Sequence, residues 1–181
     1  MQTAHKLCIE VQEWPCRGDL EEYLNTNNSR SKILNFLSRE FDTEISFRAG
    51  DLELLSGYPE SFILPLHSFA MQLSQGLKTL DQEGIVQVPI YLQQYKIDEG
   101  DPAHIMEWER EENQIMIRFQ WCNTSSVPKS LVDLGEVIVD CHQFREEILA
   151  FLDTYTRKIA MLLGFHANWT GEEISTLFEQ F

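Results

Sequence analysis

Polar and apolar residues alternate near the start of the chain. Leu7, Ile9 and Val11 are interleaved with Cys8, Glu10 and Gln12, a period that predicts a half-buried strand. Trp14-Pro15 ends it, because proline cannot donate to a ladder. The polar run Asn25-Thr26-Asn27-Asn28-Ser29 predicts a loop. Beyond it, Ser31 is suited to cap a short helix with Ile33, Phe36, Leu37 and Phe41 on one face. Thr43 to Arg48 and Leu52 to Ser56 predict two strands joined at Ala49-Gly50-Asp51, and Gly57-Tyr58-Pro59 breaks the pattern.

The period then lengthens. Leu66, Phe69, Ala70, Leu73, Leu77 and Leu80 recur at helical spacing, with Gly84 just beyond. Val86, Val88, Ile90 and Leu92 return to strand alternation, and Pro89 among them puts that strand towards a sheet edge. After an acidic connection, Tyr95 to Pro102, the segments His104 to Glu111 and Gln114 to Trp121 predict a hairpin turning at Glu112-Asn113. A two-residue turn sets Trp108 against Ile117 and Met106 against Phe119, with Glu107 opposite Arg118 on the other face. Asn113 tolerates positive φ, whereas Glu112 does not suit a type I′ turn.

Glu136 to Val139 predicts one more strand. Asp140 with Gln143 forms a capping box for the longest helix, whose apolar stripe is Phe144, Ile148, Phe151, Leu152, Tyr155, Ile159, Leu162 and Leu163, with Gly164 as its stop. Thr170 with Glu173 is a second box, opening a helix with Ile174, Leu177, Phe178 and Phe181 on one side. Strands arrive as hairpins or neighbours, with helices between the blocks. The fold class expected is α+β, a single largely antiparallel sheet with long amphipathic helices packed on one face. A chain of 181 residues fits one domain, 1–181, with 166–181 a short C-terminal helical appendage.

Composition adds three bounds. An apolar content of 43% with eleven Phe and four Trp excludes wholesale disorder. The start MQTAHKLCIEV lacks the basic and continuously apolar stretches of a signal peptide, and the longest apolar run, Ile159 to Leu163, falls far short of the ~20 residues that span a bilayer. A cytoplasmic location follows as the expectation. Cys8, Cys16, Cys122 and Cys141 are scattered, without a C-x-x-C pair or clustered His, which predicts free thiols, most of them buried, and neither a bound metal nor a cofactor.

Charge changes the picture most. Asp and Glu number 29 against 14 Lys and Arg, a net charge of −15, and no acidic tail accounts for it. Nucleic acid and anionic membranes reward Lys and Arg, so both are disfavoured as partners. A basic protein partner, or solubility alone, fits the sign. The densest tract, Asp98 to Glu112, holds seven acids and one base, interleaved with Met106 and Trp108. Glu40 to Glu60 adds six acids against Arg48. Clustered carboxylates speed encounter with a positive surface and an aromatic side chain anchors it. The candidate partner-binding residues are therefore Asp98, Glu99, Asp101, Glu107, Trp108, Glu109, Glu111 and Glu112.

Catalytic motifs are weak beside this. Cys141-His142 pairs a thiol with a base at a helix start, but adjacent helical side chains point about 100° apart. His142 and Glu146 stand one helical turn apart, two ligands without a third, which reads as a surface pair. His67 flanks the apolar stripe of its helix and no nucleophile is near it in sequence, so it reads as a boundary histidine. Glu107 and Glu109, ~7 Å apart on one strand face, could mimic a glycosidase pair, yet that face also carries Arg118 and looks outward. No catalytic residue is assigned.

The hairpin TEISFRAGDLELLSGYPES, the amphipathic helix after it, the meander WEREENQIMIRFQW and the closing helix from Asp140 cover most of the chain. In layout and acidity they resemble the bacterial immunity proteins encoded beside polymorphic toxins. The resemblance implies a non-enzymatic inhibitor that neutralises a basic toxin or nuclease domain. The rival expectation is an enzyme or small-molecule binder with a pocket between sheet and helices; a structural subunit of a complex is a third. A deep cavity with convergent polar groups favours the rival, and a continuous exposed acidic surface favours the inhibitor.

Overall fold

The alternating stretches form strands in the computed structural model, which describes residues 4–27, 29–54, 63–90, 104–121, 136–179 and 181. Strand β1 (Leu7–Val11) pairs with β2 (Asp42–Ala49), and β2 pairs in turn with β3 (Leu52–Glu53) and, at its start, with β4 (Ile63–Pro65). Strands β5 (Ile85–Ile90), β6 (His104–Glu111), β7 (Gln114–Trp121) and β8 (Glu136–Asp140) follow one another in a second sheet. All these pairings are antiparallel. The protein is α+β, but the single sheet expected from the sequence is two four-stranded sheets. The turn at 57–59, the end of the expected 52–56 strand, Leu92, the connection 95–102 and Cys122 lie outside the described residues.

The reason for two sheets lies at β1. Gly50 donates to the carbonyl of Lys6 (2.8 Å) and Gln12 to that of Glu44 (3.0 Å). Lys6, Cys8, Glu10 and Gln12 thus face β2, while Leu7 and Ile9 turn their backbone groups away. Strand β8 does not take up those groups. Helix α4 (Cys141–His166) does: the Gln143 amide accepts from the Leu7 N–H (2.6 Å) and donates to the Leu7 carbonyl (2.8 Å). Glu147, one turn on, accepts from the Ile9 N–H (3.0 Å). Pairing between the sheets ends after one parallel bridge, His5 to Val139, where the His5 N–H donates to Ile138 (2.9 Å).

The helices depart from the sequence pattern mainly at their ends. Helix α1 (Arg17–Leu24) has no apolar period to announce it, since Leu20 is its one buried residue; Asp19 accepts from the Cys16 N–H (2.7 Å) and fixes its start. Helix α2 (Ser29–Asn35) begins before Ser31 and runs into a wide turn, Phe36–Glu40, closed by Phe41 N–H donating to the Phe36 carbonyl (2.8 Å). Helix α3 (Leu66–Glu83) ends at Gly84, which takes φ 78°. Helix α4 passes through Gly164 and ends at His166. Glycine is permitted inside a helix at a cost of about 1 kcal/mol, and the burial of Leu162 and Leu163 beside it outweighs that. Asp140 caps α4 by accepting from the Gln143 N–H (2.9 Å), but the Gln143 side chain goes to Leu7 and the box stays open. Thr170 and Glu173 do complete theirs, at the start of α5 (Gly171–Phe178).

All eight residues of the α4 stripe are buried. They join one core that draws on both sheets and on α3. Phe144 meets Trp108 edge to face at 5.0 Å, and Phe151 meets Phe69 at 5.8 Å. The C-terminal segment folds back onto this core: Tyr155 stacks on Phe181 at 5.6 Å and meets Phe178 at 6.1 Å, and Trp169 is buried. The thiols of Cys8, Cys16 and Cys141 are free as expected, but not buried. Cys16 is exposed and the other two are half-buried, since each precedes or lies within an element whose neighbours supply the core contacts. Among the described residues no helix is long and apolar enough to cross a membrane.

Candidate functional site

The hairpin β6–β7 has the register its pattern predicts, with Trp108 opposite Ile117, Met106 opposite Phe119 and Glu107 opposite Arg118. Alternation sends Met106 and Trp108 inward, where both are fully buried. Trp108 is therefore core and cannot anchor a partner, which corrects its place among the partner-binding residues. The turn also differs: Glu112 takes φ 51° and Asn113 does not, the reverse of their intrinsic tolerance.

The outward positions converge on one guanidinium. Arg118 of β7 donates to Glu109 (2.7 Å) and Glu107 (2.9 Å) of β6 and to Glu136 of β8 (3.2 Å). Hydrogen bonds to Glu109, then Glu107 and Glu136, raise the Arg118 pKa above its ordinary value. Three carboxylates thus surround one positive charge, where the sequence suggested a single pair. Glu111 and Glu112 are exposed at the hairpin tip. Asp98, Glu99 and Asp101 lie outside the described residues.

Beside this face runs a cleft of about 490 Å³ between α3 and β5. Its polar wall on α3 is Gln72, Gln75, Thr79 and Glu83, at spacings of three and four, with Gly76 among them; Ile85, Val86, Gln87 and Val88 of β5 and Glu107 complete the lining. Glu107 belongs to both the cleft and the Arg118 cluster.

A second cavity, of about 410 Å³, opens among α2, α3 and the C-terminal segment. It is lined by His67, Met71, Trp169, Glu173, Ser38 and Leu34, with Thr176 and Leu177. His67 is buried rather than at a boundary, and its Nδ1 contacts the Tyr155 hydroxyl. Burial lowers the His67 pKa to about 4 and raises that of Tyr155, so both are neutral at pH 7. Among the described residues, the buried Trp169 Nε1 has no hydrogen-bond partner. Glu173 pairs with Arg30, and its pKa is lowered, chiefly by the Thr170 backbone N–H. No sequence motif joins these residues, because the topology alone brings α3 to the C-terminal segment.

His142 is exposed and lies 3.4 Å from Glu146, the surface pair that the spacing suggested. Among the described residues no group of three or more His, Cys, Asp and Glu is placed to hold a metal ion. Compared with known proteins, the chain matches no family model, no curated protein and no solved structure.

Proposed function

We propose that this chain is a non-enzymatic acidic binding protein, an immunity-type inhibitor that neutralises a basic toxin or nuclease domain in the cytoplasm. The observation that carries the reading is the outward face of β6, β7 and β8, where Glu107, Glu109 and Glu136 share Arg118 and Glu111 and Glu112 extend the negative charge to the tip. Among the described residues, Gly76 of α3 and Phe144 of α4 lie against Trp108, on the other side of this sheet; the acidic face is the one offered to a partner. With a net charge of −15, association with a positive surface can approach ~10⁸ M⁻¹s⁻¹ at low salt. Because Trp108 is core, charge rather than an aromatic anchor carries the first contact.

The test is to recover the partner by low-salt co-purification, identify it, and measure its association rate. Changing Asp98, Glu99 and Asp101 to Lys, and separately Glu111 and Glu112 to Lys, should slow association about tenfold and leave the melting temperature nearly unchanged. Wild-type rates in both variants at low salt would sink the reading.

A second reading, a small-molecule binder, draws on the cavity at His67, which Met71 and Trp169 also line. Its ligand would be a compact, largely apolar molecule. A thermal-shift screen finding such a ligand, with the shift lost in Trp169→Phe, would favour this reading over the first.

A further inference from the structure

The outer strands of the two sheets are finished differently. On β1 the outward backbone groups of Leu7 and the N–H of Ile9 are met by Gln143 and Glu147. Strand β5 is the outer strand of the other sheet. Arg110 donates to the Gly84 carbonyl (2.7 Å), and opposed residues of an antiparallel ladder exchange hydrogen bonds alternately. Val86, Val88 and Ile90 therefore face β6, and Ile85, Gln87 and Pro89 turn their backbone groups outward. Among the described residues no group bonds the outward N–H or C=O of Ile85 and Gln87. Pro89 stands at an outward position, where its missing N–H removes nothing from the β5–β6 ladder.

This open edge forms one side of the 490 Å³ cleft, and α3 forms the other. We infer that the cleft receives an extended, cationic peptide segment of a partner as an added strand against β5. The inference rests on reading the chain as a protein-binding module. Donors and acceptors recurring every second residue match another strand, whereas a helix has already used its own. The flanking carboxylates of Glu83 and Glu107 select Lys or Arg on that segment. A second copy of this chain fits worse: it brings its own charge of −15, and its Pro89 would offer no N–H across the new ladder. The glutamines and Thr79 supply side-chain hydrogen bonds to the bound backbone without demanding one sequence.

The experiment uses a library of random linear peptides long enough to span β5, panned against the full chain at low salt. Enriched peptides should carry Lys or Arg among β-branched residues. In the bound state, hydrogen exchange at the Ile85 and Gln87 amides should slow about tenfold or more. N-methylation of alternate peptide residues should abolish binding in one register and spare it in the other, the signature of a ladder. Gln87→Pro removes an outward N–H and no β5–β6 bond; it should weaken peptide binding about tenfold or more with an unchanged urea midpoint. If that variant loses stability, the N-methylated peptides alone decide. Binding that ignores N-methylation and leaves both amides unprotected overturns the strand mode while the acidic-face reading stands. Failure to enrich any peptide also overturns it, and the co-purified partner then decides the broader reading separately.

Discussion

Gly76 of α3 faces the ring of Trp108 so closely that a Cβ on it would lie 2.8 Å from Cζ3, and 2.7 Å from Cγ2 of Val88. Helix and sheet reach this separation because residue 76 has no side chain. The ring cannot swing away, being held edge to face by Phe144. Gly76→Ala adds about 1 kcal/mol of helix propensity and incurs about 1–3 kcal/mol of overpacking. The expected net loss is about 1 kcal/mol, read as a lower urea midpoint at unchanged slope.

His67 makes stability depend on pH. Its folded pKa of about 4 lies below the ordinary 6.5, so the unfolded chain binds the extra proton between those values. Its contribution is complete above pH 6.5 and is lost as pH falls towards 4, to the extent of about 3 kcal/mol. His67→Gln should show a shallower decline in unfolding free energy from pH 7 to pH 4 than the wild type. Parallel declines would show that His67 is not the group responsible.

Gln143 is a test of how β1 is held. Gln143→Ala leaves the Leu7 N–H and carbonyl without their partner, at a cost of about 1–2 kcal/mol. Gln143→Glu keeps an acceptor for the N–H and loses the donor to the carbonyl, so it should fall between wild type and alanine. Urea titration of the three proteins gives the order.

Arg118→Ala leaves Glu107, Glu109 and Glu136 grouped without their shared cation. The variant should be less stable than the wild type at low ionic strength, and the deficit should shrink as salt screens the carboxylates. A deficit that salt does not change would assign the role of Arg118 to packing of its stem instead.

The period of the sequence located what periodicity can report. The α4 stripe is buried throughout, and the hairpin register holds because one buried face and a two-residue connection leave no slack. The break into two sheets was not legible, since it depends on Gln143 reaching Leu7 across the fold rather than on any local pattern. Helix α1 was missed because only Leu20 of its residues is buried. At the candidate face, charge alone suggested Glu107, Glu109, Glu111 and Glu112, but the same alternation that made Glu107 outward made Trp108 core. The α3–β5 cleft was half legible: Pro89 marked the edge, and nothing local marked α3 as its wall.

The side chains that close the edge of β1 come late in synthesis. Gln143 is 136 residues beyond Leu7, so at ribosomal speed β1 is made roughly ten seconds before its cover exists. During that interval the nascent chain carries an open strand edge that neither length nor a proline protects. A chain stalled before Gln143 should therefore engage chaperones or self-associate more than a chain stalled after α4. The lock on β1 thus makes translation through α4 the point at which this strand edge stops being adhesive.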